Sequence, residues 1–304
     1  MHVQKTGEPK YVVNLSSDFQ IDADWIDAIK NKLNVSIIKP GAAPDAQIEM
    51  ALVDDSVNKE LEHYKNLKTI FSLSAGIENL PDERYLRDIQ IVRLVTGEMI
   101  ALMQEYVCYF ALKIHRDFFG VENNQKRKKW EWLPPQKAAN SCRVTVLGLG
   151  KIGLPVARSL VGLGFNVAGW SRSQKTIDDF ETACGTEGLD ILLPVTDILV
   201  NMLPLTRETE GLLNASLFKK LQLKASLINV GRGGCLVESD LVEALDSGQL
   251  SQAVLDVFLQ EPLPKTSVLW NHSRITVTPH MAAYPAPSTF HDAIEKAITN
   301  VLNE

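Results

Sequence analysis

Cysteine is scarce in this chain, and its few cysteines are widely spaced. The 304 residues contain four, and no two of them form a CxxC pair. They are Cys108, Cys142, Cys184 and Cys235. A disulfide framework or a zinc site needs a regular set of paired or closely spaced cysteines, so this spacing argues against both. We therefore expect reduced structural thiols and no bound metal.

Long apolar runs and an excess of positive charge are also lacking. No apolar run approaches the roughly 18 residues that a membrane-spanning helix needs. Residues 1–30 lack a basic segment followed by an apolar one, so we expect a cytoplasmic protein. The formal net charge is -6, which provides no basic face for nucleic acid or for an anionic membrane. Neither is an expected partner.

What the chain does contain is the composition of an ordinary soluble protein, with 45% hydrophobic and 22% charged residues. At about 150 residues per domain, its length predicts two domains.

Two series of short β-rich runs alternate with segments of helical period. The first series has runs at 11–15, 35–39, 50–53, 68–74 and 89–94. The second series has runs at 143–147, 165–170, 197–203, 225–230, 252–257 and 274–278. Such alternation predicts an α/β fold, with two parallel sheets covered by helices.

One long helix is predicted between the two series, because Thr96 is a suitable N-cap and apolar residues recur at helical spacing over 100–114. The next segment, 122–129, is polar and strongly basic. We expect it to be a solvated connection or an arm rather than core. The amphipathic segment 288–302 predicts a final helix, which we expect to pack back on the first domain because the second sheet is complete by Thr278.

The basic arm indicates a homodimer built on the second domain, because such an arm has no packing reason to protrude from a monomer. The helix from about Gly97 would contribute to the same interface. Trp130 or Trp132, directly after the arm, would either enter a neighbouring subunit's site or be buried in the dimer interface.

A glycine-rich hexapeptide directly follows the predicted strand at 143–147. It consists of Gly148, Leu149, Gly150, Lys151, Ile152 and Gly153. A helix is predicted after it, because Val156, Leu160 and Leu163 share one face with Ile152. In a dinucleotide-binding turn, the first glycine permits a tight turn, the second lets the pyrophosphate approach the backbone, and the third lets helix and strand pack closely. A chance glycine-rich loop is the alternative, and the flanking strand and helix disfavour it.

The strand after such a turn normally ends in an acidic residue that binds the ribose hydroxyls. Here that end carries Ser171, Arg172 and Ser173, with Lys175 just beyond. A carboxylate would repel a 2′-phosphate, whereas Arg172 can bind it bidentately and the two serines can donate hydrogen bonds. These residues favour NADPH over NADH. The alternative is that they are simply exposed loop residues.

Three further segments place polar residues just beyond the ends of predicted strands, where ligands bind in open α/β sheets. Their sequences are NVGRGG at 229–234, DVFLQEP at 256–262 and TPH at 278–280. Each alone has a structural explanation: Arg232 could stabilise a turn, Glu261 could lie in a surface turn, and His280 is one of six histidines. Together, and in this order after a dinucleotide turn, they are far more specific.

Through these motifs the chain resembles the D-isomer-specific 2-hydroxyacid dehydrogenase family, whose motifs are GxGxxG, NxxRG, DVFxxEP and TPH. The resemblance covers nearly the whole chain, because residues 71–78 are similar to the family's small-residue substrate loop and residues 203–206 to its cofactor-side loop. Among subfamilies the chain is most similar to bacterial glyoxylate/hydroxypyruvate reductases. The segments that carry this closer similarity are MQEYV at 103–107, WSRS at 170–173 and LDVFLQEPLP at 255–264.

The resemblance implies two Rossmann-like domains. One is a flavodoxin-like substrate domain made of 1–96 and 286–304, and the other is a doubly wound NAD(P)-binding domain at 97–285. It further implies an NAD(P)-dependent dehydrogenase that reduces a small 2-keto acid of the glyoxylate or hydroxypyruvate type. NADPH is the expected hydride donor, and NAD is a second cofactor that the enzyme could use.

Site residues follow from the same resemblance. Arg232 would hold the substrate carboxylate and polarise the carbonyl, while His280 would be the general acid and Glu261 would orient it. The backbone N–H groups of Ala75 and Gly76 would also hold the carboxylate. Arg232 and His280 are expected to contact the cofactor as well as the substrate. Further cofactor contacts are expected at Leu203, Pro204, Thr209, Val230, Gly231, Asp256 and Ala282.

Other functions stay open at this point. Asp54 and Asp55 form an acidic lip where glyoxylate-reductase-like relatives commonly have aromatic residues and proline, so another 2-keto acid could be the substrate. A non-catalytic NAD(P)-sensing protein, similar to some transcriptional corepressors of this family, is a second interpretation. A third is other chemistry on the same fold, such as formate or phosphonate oxidation, against which the Glu261–His280 pair argues because those reactions need no proton donor to a carbonyl.

Overall fold

The structure is a computed structural model that describes residues 10–15, 23–54, 59–74, 76, 80–81, 83–131 and 137–303. Ala75, Asp55 and Trp132, which the sequence singled out, lie outside the described residues. The chain divides into two compact units, one made of Met1–Glu98 and Pro285–Glu304 and the other of Met99–Tyr284.

A five-stranded parallel sheet organises the first unit, in the order β2-β1-β3-β4-β5. Its strands are β1 (Lys10–Asn14), β2 (Val35–Ile38), β3 (Ile48–Val53), β4 (Thr69–Ser72) and β5 (Gln90–Arg93). Helix α1 (Ala23–Leu33) connects β1 to β2, and α2 (Glu83–Leu86) precedes β5. Val12, Leu52 and Phe71 are fully buried, as expected for central parallel strands that are covered on both faces. The strand order is that of a flavodoxin-like sheet.

A seven-stranded parallel sheet organises the second unit, in the order β12-β11-β10-β9-β6-β7-β8. Helices α3 (Gly97–His115) and α4 (Phe118–Lys126) precede it in the chain. The strands are β6 (Arg143–Leu147), β7 (Asn166–Ser171), β8 (Glu181–Cys184), β9 (Ile198–Asn201), β10 (Ala225–Asn229), β11 (Leu250–Leu255) and β12 (Ile275–Val277). The connecting helices are α5 (Gly153–Gly162), α6 (Gly185–Leu192), α7 (Ala215–Lys220) and α8 (Glu238–Asp246). The order, read from β6, is the doubly wound arrangement of dinucleotide-binding domains, so the predicted fold class is confirmed.

The last helix, α9 (Pro287–Asn303), packs against α1 in the first unit. It buries Phe290, Ile294 and Ile298, and His291 stacks on Trp25 with 4.5 Å between the ring centroids. The final helix therefore lies in the first unit, although it follows the last strand of the second unit in the chain.

Three local features differ from the prediction. Strand β8 was missed, because Glu181–Cys184 is a short edge strand whose residues are not buried and whose sequence carries no apolar alternation. The segment 122–129 is exposed as expected, but α4 continues through it as far as Lys126. Leu163 was predicted on the buried face of α5 but is 42% exposed, because the helix ends at Gly162.

None of the described helices is long and apolar enough to cross a membrane. Among the same residues, no group of three or more His, Cys, Asp or Glu side chains is placed to hold a metal ion.

Candidate active site

The functional motifs of the second unit meet at one edge of its sheet. Every strand pair in that sheet is parallel, so the carboxyl ends of all the strands lie along the same edge. Ligands bind in open α/β sheets at this edge, near the point where the strand order reverses. The residues that directly follow a strand end there include Gly148, Arg172, Val230, Asp256 and Thr278.

The glycine-rich turn between β6 and α5 has the geometry that a dinucleotide requires. Gly148 has a φ of 103°, a conformation that other residues rarely adopt. A β-carbon at Gly150 would meet no atom within 4 Å, whereas one at Gly153 would lie 1.8 Å from the carbonyl oxygen of Gly148. The backbone of Gly150 is thus accessible to a ligand. The missing side chain of Gly153 lets α5 pack closely against the end of β6. The turn therefore fits a pyrophosphate at the N-terminus of α5.

The other three residues of this turn differ in their exposure. Leu149 is buried, Ile152 is partly buried and Lys151 is exposed. Of these side chains, Lys151 is therefore the best placed to meet a ligand's phosphate.

Positive charge gathers beyond β7, where many dinucleotide-binding domains have an acid. Arg172 and Ser173 are exposed, and the Lys175 ammonium donates to the carbonyl oxygen of Leu149 at 2.9 Å. Ser171 is buried, and its hydroxyl donates to the carbonyl of Ser173 at 2.8 Å. The hydroxyl of Ser171 thus braces the turn on which Arg172 stands.

The loop after β9 is closed by internal hydrogen bonds. The Thr209 hydroxyl donates to the carbonyl of Pro204 at 2.6 Å and accepts from the N–H of Thr206 at 2.7 Å. The adjacent Glu208 has a lowered pKa, because Thr206 hydrogen-bonds to it and because Arg172 and Arg207 place positive charge nearby. Arg207 was not singled out from the sequence, although it follows the LPLT segment directly.

Four of the predicted cofactor contacts are apolar residues with buried side chains. They are Leu149, Leu203, Val230 and Ala282. Backbone atoms are therefore what these residues can offer to a ligand.

A buried pair of asparagine side chains joins the ends of β9 and β10. The Asn201 amide donates to the Asn229 side-chain oxygen at 2.9 Å, and both side chains are fully buried. The same Asn229 oxygen accepts from the N–H of Gly231 at 3.3 Å, and its amide donates to the carbonyl of Arg232 at 3.5 Å. The pair therefore fixes the backbone that carries Arg232. Asn201 was missed in the sequence, where its only signal is a polar residue at the end of an apolar run.

His280 and Glu261 form a hydrogen-bonded pair at this edge. The Nδ1 atom of His280 lies 2.7 Å from Oε2 of Glu261, and the other carboxylate oxygen accepts from the N–H of Phe258 at 2.8 Å. The pairing of Nδ1 with a carboxylate leaves Nε2 as the ring nitrogen that can exchange a proton with a ligand.

Electrostatics keep His280 charged over a wider pH range than an ordinary histidine. The hydrogen bond that His280 donates to Glu261 raises the pKa of His280, against the opposing effect of burial, and the negative charges of Glu261 and Asp256 add to the rise. Burial raises the pKa of Glu261. Hydrogen bonds from His280 and Phe258 lower it, as do the positive charges of His280 and Arg232. These lowering effects outweigh burial, so the pKa of Glu261 is below its usual value. The positive charge of Arg232 lowers the pKa of both partners, and so opposes the rise that Glu261 produces in the pKa of His280.

The Asp256 carboxylate holds the turn on which His280 stands. Its side chain is buried, with the residue 1% exposed. One oxygen accepts from the Thr278 hydroxyl at 2.6 Å and from the N–H of Met281 at 3.0 Å, and the other accepts from the N–H of Ala282 at 2.9 Å. Asp256 was expected to contact the cofactor. A carboxylate has about four acceptor positions, so these three bonds are compatible with a further donor from a ligand.

The predicted substrate loop belongs to the first unit. Gly76 is buried, and its carbonyl accepts from the Ser72 hydroxyl at 3.5 Å. Asp54 of the acidic lip is half-buried. Their neighbours Ala75 and Asp55 lie outside the described residues.

Comparison with known proteins identifies the family. Residues 108–282 match the family described as "D-isomer specific 2-hydroxyacid dehydrogenase, NAD binding domain". A curated relative, glyoxylate/hydroxypyruvate reductase A of Serratia proteamaculans, is 36% identical over 280 residues, which cover 89% of this chain and 88% of the relative.

Solved structures give the same result. A D-isomer specific 2-hydroxyacid dehydrogenase from Xanthobacter autotrophicus, in complex with NADPH and MES, is similar with a TM-score of 0.86 and 33% identity over 97% of this chain and 95% of that one. An NADPH-dependent glyoxylate/hydroxypyruvate reductase from Sinorhizobium meliloti, in complex with NADP and sulfate, has a TM-score of 0.83 and 33% identity over 97% and 95%. The chain therefore belongs to the D-isomer specific 2-hydroxyacid dehydrogenase family, and it is an NAD(P)-dependent oxidoreductase.

The contact between Gly153 and Gly148 leads to a test within one helix. Replacing Gly153 with Ala should destabilise the protein by about 1–3 kcal/mol, because the new methyl group must displace a backbone carbonyl. Replacing Gly162, at the end of the same helix, with Ala should be neutral or stabilise by up to about 1 kcal/mol, because a β-carbon there meets no atom within 4 Å. Urea unfolding and dinucleotide titration measure both variants. Equal stability and affinity of the two would contradict the packing role of Gly153.

Proposed function

We propose that the protein catalyses NADPH-dependent reduction of a small 2-keto acid, of the glyoxylate or hydroxypyruvate type, to the 2-hydroxy acid. The observation that carries this proposal is the hydrogen-bonded His280–Glu261 pair, whose electrostatic surroundings include Arg232, at the sheet edge that also holds the dinucleotide turn. The reaction would take place in the cytoplasm. All four cysteines are free, and two of them are buried, as is typical of proteins from a reducing compartment.

Arg232 would bind the substrate and polarise it. Its guanidinium can hold the carboxylate of a 2-keto acid through charge-assisted hydrogen bonds. The same positive charge draws electron density toward the carbonyl oxygen, where negative charge grows during reduction. The backbone N–H groups of Ala75 and Gly76 stay predicted second contacts for the carboxylate.

His280 would supply the proton. When bound, the nicotinamide cofactor supplies the hydride that adds to the carbonyl carbon of the substrate. The Nε2–H of protonated His280 would donate to the carbonyl oxygen, which becomes the hydroxyl group, and the imidazole is left neutral. Glu261 would hold Nδ1, fix the orientation of the ring and stabilise the imidazolium before transfer.

NADPH is the cofactor that the residues beyond β7 favour. The exposed Arg172 can pair with a 2′-phosphate, and Lys175 adds positive charge beside the glycine-rich turn. The turn residues Gly148, Gly150 and Gly153 would carry the pyrophosphate. Two of the similar solved structures contain NADPH or NADP. A similar protein at 18% identity, a D-lactate dehydrogenase, was solved with NAD, which leaves NAD as a second cofactor.

The substrate class is supported by the nature of the relatives. Proteins named glyoxylate/hydroxypyruvate reductase are similar over most of this chain. Glyoxylate and hydroxypyruvate both present a carboxylate next to a carbonyl. Arg232 and His280 are chemically suited to bind those two groups.

We also propose a homodimer formed through α3, α4 and the segment that follows them. Large apolar side chains are exposed along this surface: Tyr109, Leu112, Phe118, Val121 and Trp130. Trp130 is 98% exposed. Large contiguous patches of exposed apolar side chains often mark protein–protein interaction surfaces.

Replacing His280 with Ala should lower kcat for reduction by about 10² to 10⁴, the usual scale of general acid catalysis, while NADPH still binds. Glu261→Gln should move the alkaline limb of the kcat/KM profile to lower pH. Reduction needs protonated His280, so activity falls as pH rises through its pKa, and that pKa is raised by Glu261.

The matched control is His272→Ala. His272 also pairs with a carboxylate, Asp246 at 3.2 Å, but it precedes β12 and therefore lies at the opposite edge of the sheet. This variant should keep wild-type kcat. Near-wild-type kcat in His280→Ala would remove the basis of the proposed mechanism.

Replacing Arg172 with Ala should raise KM for NADPH by about 10- to 150-fold, because a charge-assisted contact is worth about 1.5–3 kcal/mol. The KM for NADH should change little. Initial rates with glyoxylate and hydroxypyruvate, measured with each cofactor, provide the test. Arg158→Ala removes another exposed arginine of the same unit, one that pairs with Asp179, and should change neither value. Equal or better kcat/KM with NADH in the wild type would overturn the cofactor assignment.

Sedimentation at micromolar concentration should show a dimer. Phe118→Glu should shift it toward monomer, because it places a charge on the exposed apolar surface of α4. Ile191→Glu is the control, since Ile191 is also apolar and exposed but lies on α6. A wild-type monomer at this concentration would contradict the proposed dimer.

A further inference from the structure

A tyrosine hydroxyl on α3 reaches the turn that carries His280. The hydroxyl oxygen of Tyr106 lies 2.6 Å from that of Thr278, 172 positions along the chain. The Thr278 hydroxyl in turn donates to the buried Asp256 carboxylate at 2.6 Å. Three side chains from α3, β11 and the end of β12 are thus linked by two short hydrogen bonds.

The direction of these bonds follows from the chemistry of the groups. An ionised carboxylate only accepts, so Thr278 must donate its single hydroxyl proton to Asp256. Thr278 can then only accept from Tyr106, and Tyr106 must be the donor. Burial raises the pKa of Tyr106 strongly, with the charge of Asp256 acting in the same direction and the bond to Thr278 in the other. The phenol therefore keeps its proton at neutral pH.

The backbone held by this chain of bonds is unusual. His280 has a φ of 52°, in the left-handed region that side-chain-bearing residues seldom occupy. Its N–H donates to the carbonyl of Asp256 at 2.9 Å and to that of Thr278 at 3.1 Å. On either side of His280, Thr278 and the N–H groups of Met281 and Ala282 bind the Asp256 carboxylate. The hydrogen bonds between this turn and the Asp256 carboxylate therefore hold the left-handed backbone conformation of His280.

We propose that Tyr106 is a positioning residue for reduction, which acts through Thr278 and Asp256 to hold His280 against Glu261. This inference rests on the proposed role of His280 as proton donor. Tyr106 itself touches neither substrate nor cofactor in this scheme. The Tyr106 hydroxyl donates to one of the two acceptor lone pairs of the Thr278 hydroxyl, which favours the orientation in which Thr278 donates to Asp256.

The alternative is that Tyr106 only fills the core. Its ring packs on Phe110, with 4.7 Å between centroids and an angle of 52°, and that packing would survive the loss of the hydroxyl. A purely structural role would affect stability and leave the titration of His280 unchanged. A positioning role affects the titration, because the pKa of His280 depends on its hydrogen bond with Glu261.

The decisive variant is Tyr106→Phe, which deletes the hydroxyl and keeps the ring. We expect kcat for reduction to fall about three- to tenfold, the scale of one misplaced hydrogen bond. The KM for NADPH should stay within about twofold. NMR titration of the His280 imidazole, assigned by comparison with His280→Ala, should show a pKa below the wild-type value, and the alkaline limb of kcat/KM should move the same way. Thr278→Val should reproduce these effects, while Thr278→Ser, which keeps the hydroxyl, should restore most of them.

The matched control is Tyr85→Phe in the first unit. The Tyr85 hydroxyl donates to the main-chain carbonyl of Leu61, and burial raises its pKa as well. Its loss removes a comparable hydrogen bond and should leave the His280 titration where it is in the wild type. Thermal unfolding of both tyrosine variants measures the structural cost separately.

The outcomes separate the two proposals. A wild-type His280 pKa and wild-type kcat in Tyr106→Phe would overturn the positioning role, whatever His280 does. A lowered pKa in Tyr106→Phe, together with full activity in His280→Ala, would support the link between Tyr106 and His280 and overturn the catalytic role of His280. An equal fall of the His280 pKa in Tyr106→Phe and Tyr85→Phe would show a general loosening and would also overturn the inference.

Discussion

The parallel pairing of one seven-stranded sheet is the constraint on which the active site depends. The glycine-rich turn and His280 are separated by more than a hundred residues of chain, yet both follow strands that end at the same edge. Parallel strands need crossover connections, so each strand end brings a residue from a distant part of the sequence. The central strands β6, β9 and β10 are almost wholly buried, so the residues that directly follow them are held on a rigid support. The side chain of Asn201 donates to that of Asn229, and Asn229 donates to the carbonyl of Arg232. These two hydrogen bonds connect the backbone of Arg232 to the rigid strand ends.

Much of this arrangement could be predicted from the sequence because its signals are local. The run at 143–147 coincides with β6, and a hexapeptide with three glycines directly after it leaves few interpretations. The glycines are informative because each has a backbone reason: a positive φ at Gly148 and a missing β-carbon at Gly153. Polar residues after apolar strands were equally visible, and they led the sequence analysis to propose Arg232, Glu261 and His280 as site residues. Parallel topology then fixes where such residues meet.

Features that depend on distant partners could not be predicted in this way. Nothing around Tyr106 indicates a partner at Thr278, because the two residues are neighbours only after α3 has docked on the sheet. Asp256 presents the same difficulty, since its three donors come from residues 278–282. Strand β8 was missed for a different reason. It is an edge strand whose side chains are not buried, so its sequence carries no apolar pattern. The helix α4 was missed because polar residues fill its second half and a basic run follows it, and polar or charged residues predict solvent exposure rather than conformation.

The left-handed backbone of His280 has a consequence for how this fold can evolve. Residues with a β-carbon lose about 1–2 kcal/mol in that conformation relative to the ordinary right-handed one, whereas glycine loses little and asparagine tolerates it well. Histidine at this position therefore lowers the stability of the fold, and its proposed role as proton donor is the reason to keep it. In a duplicated copy released from selection for the proposed reaction, substitution of His280 by glycine or asparagine would relieve the backbone, although it would also remove the hydrogen bond between His280 and Glu261. The residue at this one turn would then distinguish descendants that kept the reaction from those that kept only the dinucleotide-binding scaffold.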